Sequence, residues 1–573
     1  MSVYPSVWQF RARCLSLLAL LLLLTFWRLI PEPQQSLKVC IPGTGRDCLT
    51  APAQHQQQEQ QHHEHHQQVQ QRWNHPIKQL HDRAMESFTK MINRQSKTLD
   101  QAIHEYEHRY GRAPPLGFDK WFEFAKEKDS AIVDDFDTIA ESLQFLWHIS
   151  PADIEDNYRK ASAGGMVHTL TFESGQGTAS VENWMGEDII RALDEAKAHI
   201  PDFHILMNLL DEPRVLLAEN KPVSAETYWN SDDMDSAWPR ISGTCDANSA
   251  KFVGDKRPNS DIDTYSLPFV TDIRTAKDVC KNPSYSTQHG FMMHPPTLIT
   301  TSAPAAILSQ AKTNTFSDIL YPSMLYFTSA IWTHDEADMP WSDKLNKVYW
   351  AGSTTGMYTR LSDLDSPTAE SHRHRFIRLT NNPHSKKPHT FLSQSDPSEP
   401  WTAYKSSDVL SPLYDTKFTS SVQCDDDACA AQESLYRFAA PEPQNTSFAN
   451  RFLMDIDGNS FSGRFYNFLQ SRSCPLKMTL FKEWHDDRLV PWVHYVPISV
   501  GMEDLPEIVR WLALTGEGQE VAERIARMGT EWHARFLRMD DAAVYLFRLF
   551  LEYARVVHPE RDSGRMDLRL VGI

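Results

Sequence analysis

Between Arg451 and Pro497 the pattern of the chain changes three times, and the order of those changes limits the fold. An apolar run from Phe452 to Ile456 ends in Asp457-Gly458-Asn459. A helical pattern then starts at Ser460 or Phe461, with Phe461, Phe465 and Phe468 on one face. Strand, tight glycine turn and helix in succession are the unit of a parallel α/β sheet. Comparable strand patterns occur at His168–Phe172, Phe203–Leu210, Lys347–Trp350, Lys477–Phe481 and His494–Pro497, with helical patterns between them. In such sheets ligands sit beyond the carboxyl ends of the strands. Three of those ends carry polar or glycine-rich residues: Asp211, the Gly352–Gly356 loop, and the Asp457–Asn459 turn.

Each of these ends has a chemical reading. A turn that opens a helix points free N–H groups and a positive dipole end at one spot, which suits an anion. Arg464, one turn into the expected helix, is placed to clamp that anion with its fork of donors. Gly352, Ser353, Thr354, Thr355 and Gly356 offer close backbone approach and hydroxyls, with Arg360 following, but no P-loop lysine. Asp211, followed by Glu212-Pro213, is either a general base at a cleft or an Asx turn. Arg373, Arg375 and Arg378 form a cationic cluster or a solvated helix face. Asp455/Asp457 and Asp233/Asp235 have D-x-D spacing, which occurs by chance in an acidic chain and is not assigned a metal. Glu483 follows a strand and is expected at the same sheet edge. No G-x-S-x-G, H-E-x-x-H or G-x-G-x-x-G is present.

The 573 residues exceed one compact core, so two globular domains with appendages are expected. A formal net charge of −18 opposes general nucleic-acid binding. Arg11 and Arg13 precede an apolar run, Cys14–Trp27, closed by Arg28 and Pro31-Glu32-Pro33. This is expected to be an uncleaved signal anchor rather than a cleaved signal peptide, with the rest of the chain lumenal. Residues 54–71, almost wholly Gln and His, cannot bury a core and read as a solvated stem; a weak metal site at His62, His63, His65 and His66 is the lesser alternative. The cysteines lack paired C-x-x-C spacing, so disulfides are expected, their pairing unreadable, with one of Cys245, Cys280, Cys424, Cys429 and Cys474 left over. The single N-glycosylation sequon is Asn445-Thr446-Ser447. Residues 381–400 and 420–446 read as long loops, and Leu505–Leu514, Glu517–Met528 and Ala542–Val556 as helices.

Taken together, Tyr349-Trp350-Ala351-Gly352-Ser353-Thr354-Thr355-Gly356, the DIDGNSFSGRF turn, KEWHDDRLVPWVHYVPI with Glu503-Asp504-Leu505, and Arg112–Trp121 resemble glycosyltransferase family 90. That family holds fungal capsule-associated glycosyltransferases and animal protein O-glucosyltransferases. The resemblance runs from about residue 105 to 556. It implies an α/β, GT-B-like fold of two Rossmann-like domains facing a cleft, behind an N-terminal membrane anchor and a disordered stem. The implied segments are a cytosolic tail (1–13), anchor (14–30), stem (31–75), acceptor-side domain (76–335), UDP-sugar-binding domain (336–540) and a C-terminal helix (541–573) packing back on the first domain.

The resemblance also implies an inverting transfer from a UDP-sugar to a hydroxyl of a glycan or glycoprotein, forming a β linkage. Asp211, in IPDFHILMNLLDEP, then takes the role of base. Arg464 and the N–H groups of Ser460, Phe461 and Ser462, beside Asn459, neutralise the leaving diphosphate, with Gly352, Ser353, Thr354, Thr355, Gly356 and Glu483 lining the donor. The chain departs from many relatives at Ala351, where they have Arg, and by Thr in the following loop. The diphosphate is therefore assigned to Arg360, Arg375 or another group, and the donor tilts toward xylose. A GT-B site does not need a metal to bind the diphosphate, so Mn²⁺ is left open and not assigned. The expected location is a Golgi or endoplasmic-reticulum membrane. A protein O-glucosyltransferase with an ER-retention signal is opposed by the ending Leu570-Val571-Gly572-Ile573; a non-catalytic sugar-binding relative and a secreted binding protein are the remaining alternatives.

Overall fold

Gln95 decides how the first helices are arranged. A single helical stretch is expected over Pro76–Glu107, but the chain breaks it into α1 (Pro76–Arg94) and α2 (Leu99–Tyr110). The Gln95 side chain donates to Asp135 and accepts from the N–H groups of Val133 and Asp134, at 2.9 and 3.1 Å, so it is pulled out of the helix. Thr98 and Gln101 then restart the helix as a reciprocal capping box. Helix α3 (Phe118–Glu127) follows; the apolar spacing over Ile132–Leu146 predicts another long helix, but only α4 (Asp137–Leu143) and a 3₁₀ turn form there. The structure, a computed structural model, describes residues 73–181, 183–217, 236–245, 261–328, 338–364, 370–381, 387–407, 410–436 and 438–568. The expected anchor, almost all of the stem, Cys14, Cys40, Cys48, the Asp233/Asp235 pair and the last five residues lie outside these. Among the described residues no helix is long and apolar enough to cross a membrane.

The first sheet is mixed, not wholly parallel as the strand-helix alternation suggests. Its strands are β1 (Val167–Glu173), β2 (Gln176–Ala179), β3 (Phe203–Asn208), β4 (Ile307–Ser309) and β6 (Ile319–Leu320), with the short β5 (Ala311–Lys312) between the last two. The order is β2-β1-β3-β4-β6. Strands β3, β4 and β6 pair in parallel, whereas β1 runs antiparallel to both neighbours. Burial explains the difference: β3 is buried almost continuously, as parallel strands are, while β1 alternates. Helix α5 (Trp184–Ala192) lies between β2 and β3 and ends six residues before the helical pattern of Ile189–Ala198 does.

The second sheet is parallel throughout: β7 (Leu345–Ser353), β10 (Tyr414–Ser420), β11 (Asn450–Ile456), β12 (Cys474–Met478) and β14 (Val496–Pro497), in the order β10-β7-β11-β12-β14. Counted from β7 this is the 2-1-3-4-5 order of flavodoxin-like sheets, which bind ligands at the switch point between their first and third strands. That point lies between the carboxyl ends of β7 and β11. The stretches read as loops are more ordered than their composition suggests. Residues 381–400 contain the first strand of a hairpin, β8 (His389–Ser393) with β9 (Thr402–Ser406), and 420–446 contains α7 (Asp426–Tyr436), which follows α6 (His372–Thr380) in the chain. Glu483 does not sit on the second sheet: β13 (Lys482–Glu483) pairs antiparallel with β5.

After β11 the helix begins later than expected. Ser460–Arg464 form a turn, and α8 spans only Phe465–Gln470, with Arg464 at its N-cap. The Gly458 N–H donates to the Ser460 carbonyl at 2.9 Å, which folds the chain back before the helix starts. Helices α9 (Leu505–Leu514), α10 (Gly516–Phe536) and α11 (Met539–Val557) follow. α11 is buried from Asp541 to Val556. Trp121 of α3 donates to its Val544 carbonyl at 2.9 Å, its Tyr553 donates to His204 O at 3.0 Å, and Phe550 packs on Phe172 and Phe203. Two disulfides, Cys245–Cys280 and Cys424–Cys429, leave buried Cys474 free.

Candidate active site

The carboxyl ends of β3, β7 and β11 meet, and Asn459 is the side chain that joins them. Its Oδ1 accepts the Gly356 N–H at 3.1 Å, and its amide makes a hydrogen-bonding contact with Asp211. Gly356 has φ +102°, a conformation that side-chain-bearing residues rarely adopt. From the first-sheet side Gly290 presses on the same loop: a Cβ there would lie 2.2 Å from the Gly356 carbonyl.

Asp211 is held outward by its neighbours. Asn208 makes the turn, accepting from the Leu210 N–H at 3.1 Å and donating to Glu212 O at 2.7 Å. Asn208 therefore supplies the side chain of the turn that was the alternative role for Asp211. Asp211 remains exposed to solvent. The surrounding protein still pushes its carboxyl above the ordinary carboxylate range, and the Asn459 contact opposes that rise only in part. Glu212 points the other way: it is fully buried, accepts from Thr297 at 2.9 and 2.8 Å, and burial raises it to about 8.

The cationic side of the site comes from Arg464 and from Arg373 of α6. Arg373 is buried and donates to Asp457 O at 2.8 Å, Ser353 O at 3.1 Å, Ile456 O at 3.3 Å and the Thr355 hydroxyl. It therefore ties the β7 loop to the β11 turn. Arg464 donates to Ala351 O at 2.7 Å. Both guanidinium carbons stand within 6 Å of the Trp350 ring, at 5.6 and 5.7 Å. Burial lowers the pKa of each, and repulsion from Arg464 adds to the effect at Arg373, which falls to about 9. Among the described residues neither forms an ion pair with a carboxylate; attraction to Asp457 and then Asp455 opposes the fall at Arg373, and attraction to Asp455 opposes it at Arg464. Two desolvated like charges without a counter-ion favour an anion between them. Among the described residues nothing accepts from the N–H groups of Ser460, Phe461 or Ser462 at the adjacent turn.

Several expected residues are used differently. The Thr354 hydroxyl is fully buried and exchanges hydrogen bonds with Val422 N and O, both at 2.9 Å, so it anchors the loop rather than lining the cleft. Arg375 donates to Gln288 O at 2.7 Å and to Val500 O, on another face of α6 from Arg373. Arg378 pairs with Glu370. Arg360 has its backbone N–H on Asp363 at 2.7 Å, and no described contact brings it to the two clustered guanidiniums. Glu483 is buried, accepts from Tyr326 at 2.6 Å and rises to about 7 through burial, so it is a core network member. Asp455 pairs with Lys477 at 2.8 Å; Asp457 accepts from Leu480 N at 2.7 Å and His289 at 3.3 Å. Those protein partners make the D-x-D pair a poor fit to a divalent cation. His289, stacked on His372 at 4.0 Å, carries no sequence signal that separates it from any other histidine. Arg373 is visible in the sequence only as one member of a charged run.

The geometry agrees with comparison to known proteins. Residues 297–567 match the model of glycosyl transferase family 90. An O-glucosyltransferase rumi homolog of Aedes aegypti is 33% identical over 125 residues, 21% of this chain and 30% of that protein. Protein O-glucosyltransferase 1 of Rattus norvegicus is 22% identical over 272 residues, covering 44% and 57%. Protein O-glucosyltransferase 2 of Danio rerio is 29% identical over 139 residues, covering 23% and 27%. The chain thus spans between about a quarter and just over half the length of these relatives. The matching stretch covers all of the parallel second sheet and its switch point, so it is residues 297–567 that are similar to glycosyl transferase family 90.

Proposed function

We propose that the chain is an inverting glycosyltransferase of GT-B type that moves a sugar from a UDP-sugar to an acceptor hydroxyl. Asp211 takes the proton of that hydroxyl as its oxygen attacks C1 of the donor. The C1–O bond to the diphosphate breaks, and UDP leaves with the electron pair. Arg464, Arg373 and the N–H groups of Ser460–Ser462 stabilise the charge growing on the diphosphate, a contribution of several kcal/mol in pre-organised sites. Attack from the face opposite the leaving group turns an α-linked donor into a β linkage. The observation that carries this function is the Asn459 bridge: one side chain touches the proposed base and the glycine loop, beside two guanidiniums that form no ion pair among the described residues.

Both disulfides support an oxidising lumen of the secretory pathway as the place of action. The departures at Ala351 and in the following loop favour UDP-xylose and a glycan acceptor. The names of the relatives favour the alternative, UDP-glucose and a protein hydroxyl. A panel of UDP-sugars, offered with glycan and protein acceptors, separates these. Turnover of one donor supports the function and names the sugar; UDP binding without turnover of any donor would sink it in favour of a non-catalytic relative.

A further inference from the structure

The end of the second sheet remote from the cleft carries a feature that sugar transfer does not use. Asn445-Thr446-Ser447 is the only Asn-x-Ser/Thr sequence without proline in the chain. Asn445 is exposed, in a 3₁₀ turn spanning Gln444–Ala449. Among the described residues no group hydrogen-bonds to its amide. The turn itself is pinned: Thr446 N–H donates to Pro443 O at 3.0 Å, Asn450 donates to Ser447 O at 3.1 Å, and Lys344 donates to Phe448 O at 2.6 Å. The asparagine is therefore presented on a fixed base while its own amide stays open to chemistry.

The surroundings give the site a purpose. Asn450 pairs in register with Leu345, the first residue of β7, which is 54% exposed. Asn346 donates to Ala513 O at 2.7 Å, bringing in Leu514, which is 56% exposed, and Met339 is 38% exposed just upstream of β7. Large exposed apolar side chains at one end of a sheet are an aggregation liability where they form a patch. β11 separates this end from the catalytic turn by 7 residues, about 20 Å of strand. A bulky group here leaves the cleft clear.

We infer that Asn445 carries an N-linked glycan that shields the apolar amino end of the second sheet. In the modification the Asn445 amide nitrogen bonds to C1 of a lipid-diphosphate-linked oligosaccharide. The C1–O bond to the diphosphate breaks, the diphosphate leaves with the electron pair, and the amide gives up one proton. The two disulfides are consistent with passage through the compartment that supplies this donor.

The test is secretion-pathway expression of the full chain in a eukaryotic host, followed by peptide-N-glycosidase digestion and peptide mass analysis. The expected result is a single mobility shift on digestion, conversion of Asn445 to aspartate, and loss of the shift in Asn445→Gln. Asn445→Gln is also expected to keep transfer activity within twofold while aggregating at lower concentration. Because Asn445 is exposed and its amide has no hydrogen-bond partner among the described residues, that variant should fold. A chain with both disulfides formed and Asn445 unmodified overturns the inference, as does a chain that stays reduced and unmodified. A modified chain whose Asn445→Gln variant is equally soluble overturns the shielding role.

Discussion

Arg373 shows how differently one side chain reads alone and in place. In sequence it is one of three arginines spaced two and three apart, a pattern that a solvated helix face explains well. In the fold its guanidinium is the knot between the β7 loop and the β11 turn, and the α6 residues beside it, Arg375 and Arg378, serve other elements. Replacing Arg373 with Met removes the donors of four oxygens. Each buried acceptor left unpaired costs about 1–3 kcal/mol. Arg373→Met is therefore expected to lower stability by at least about 2 kcal/mol in urea unfolding and to weaken UDP binding at least tenfold; unchanged values of both would show that the loops hold without it. Asp211 is singled out as the proposed base mainly by the family resemblance, since an Asp two residues ahead of Pro more often shapes a turn. Asn208, three residues earlier, takes the turn-forming task and leaves Asp211 free.

At the scale of elements, buried runs translated directly and boundaries did not. β3, β7 and β11 stand where apolar runs were, because continuous burial in a sheet demands such runs. The start of α8 slipped to Phe465, since a Gly458–Ser460 hydrogen bond and close packing of Gly463 against Leu325 keep the chain in a turn. Helix α7 and the β8–β9 hairpin were hidden by polar composition. Helix α7 is tied in locally by the Cys424–Cys429 bridge and at long range by Gln432 bonding to His374, a contact that no local pattern announces. The contact between Gly290 and the Gly356 loop is equally long-range. Gly290→Ala drives a Cβ into the Gly356 carbonyl, so the loop must shift. The expected outcome is a several-fold rise in the donor KM with far-ultraviolet circular dichroism unchanged; an unaltered KM would mean that the loop position does not govern donor binding.

Across the whole molecule, burial of ionisable groups sets a pH response. Burial raises Glu212 to about 8 and Glu483, Asp487 and Asp504 to about 7. These folded-state values exceed the unfolded ones near 4, so the native state holds extra protons, and their stabilising effect is lost as pH rises through 7 to 8. Burial lowers His372, His374, His485 and His494, which act in the opposite sense but only below about pH 6.5. From pH 6.5 to 8 the acids act alone, and the melting temperature is expected to fall; Glu212→Gln should flatten part of that fall. A melting temperature that rises over this interval would show that these carboxyls are ionised in the native state. The GT-B reading of the two sheets rested on resemblance, whereas the 2-1-3-4-5 strand order that marks the switch point emerges only when the strands are paired.

The most direct measurement is UDP affinity and sugar transfer compared between the wild-type chain and Asp211→Asn under one set of conditions. Asp211 sits across the Asn459 bridge from the arginines proposed to hold the diphosphate, so losing its basicity should leave UDP affinity within about twofold while transfer drops by at least about a hundredfold, the usual contribution of a positioned base. Transfer at the wild-type rate by Asp211→Asn would contradict the assignment of the base and, with it, the chemistry proposed for this site.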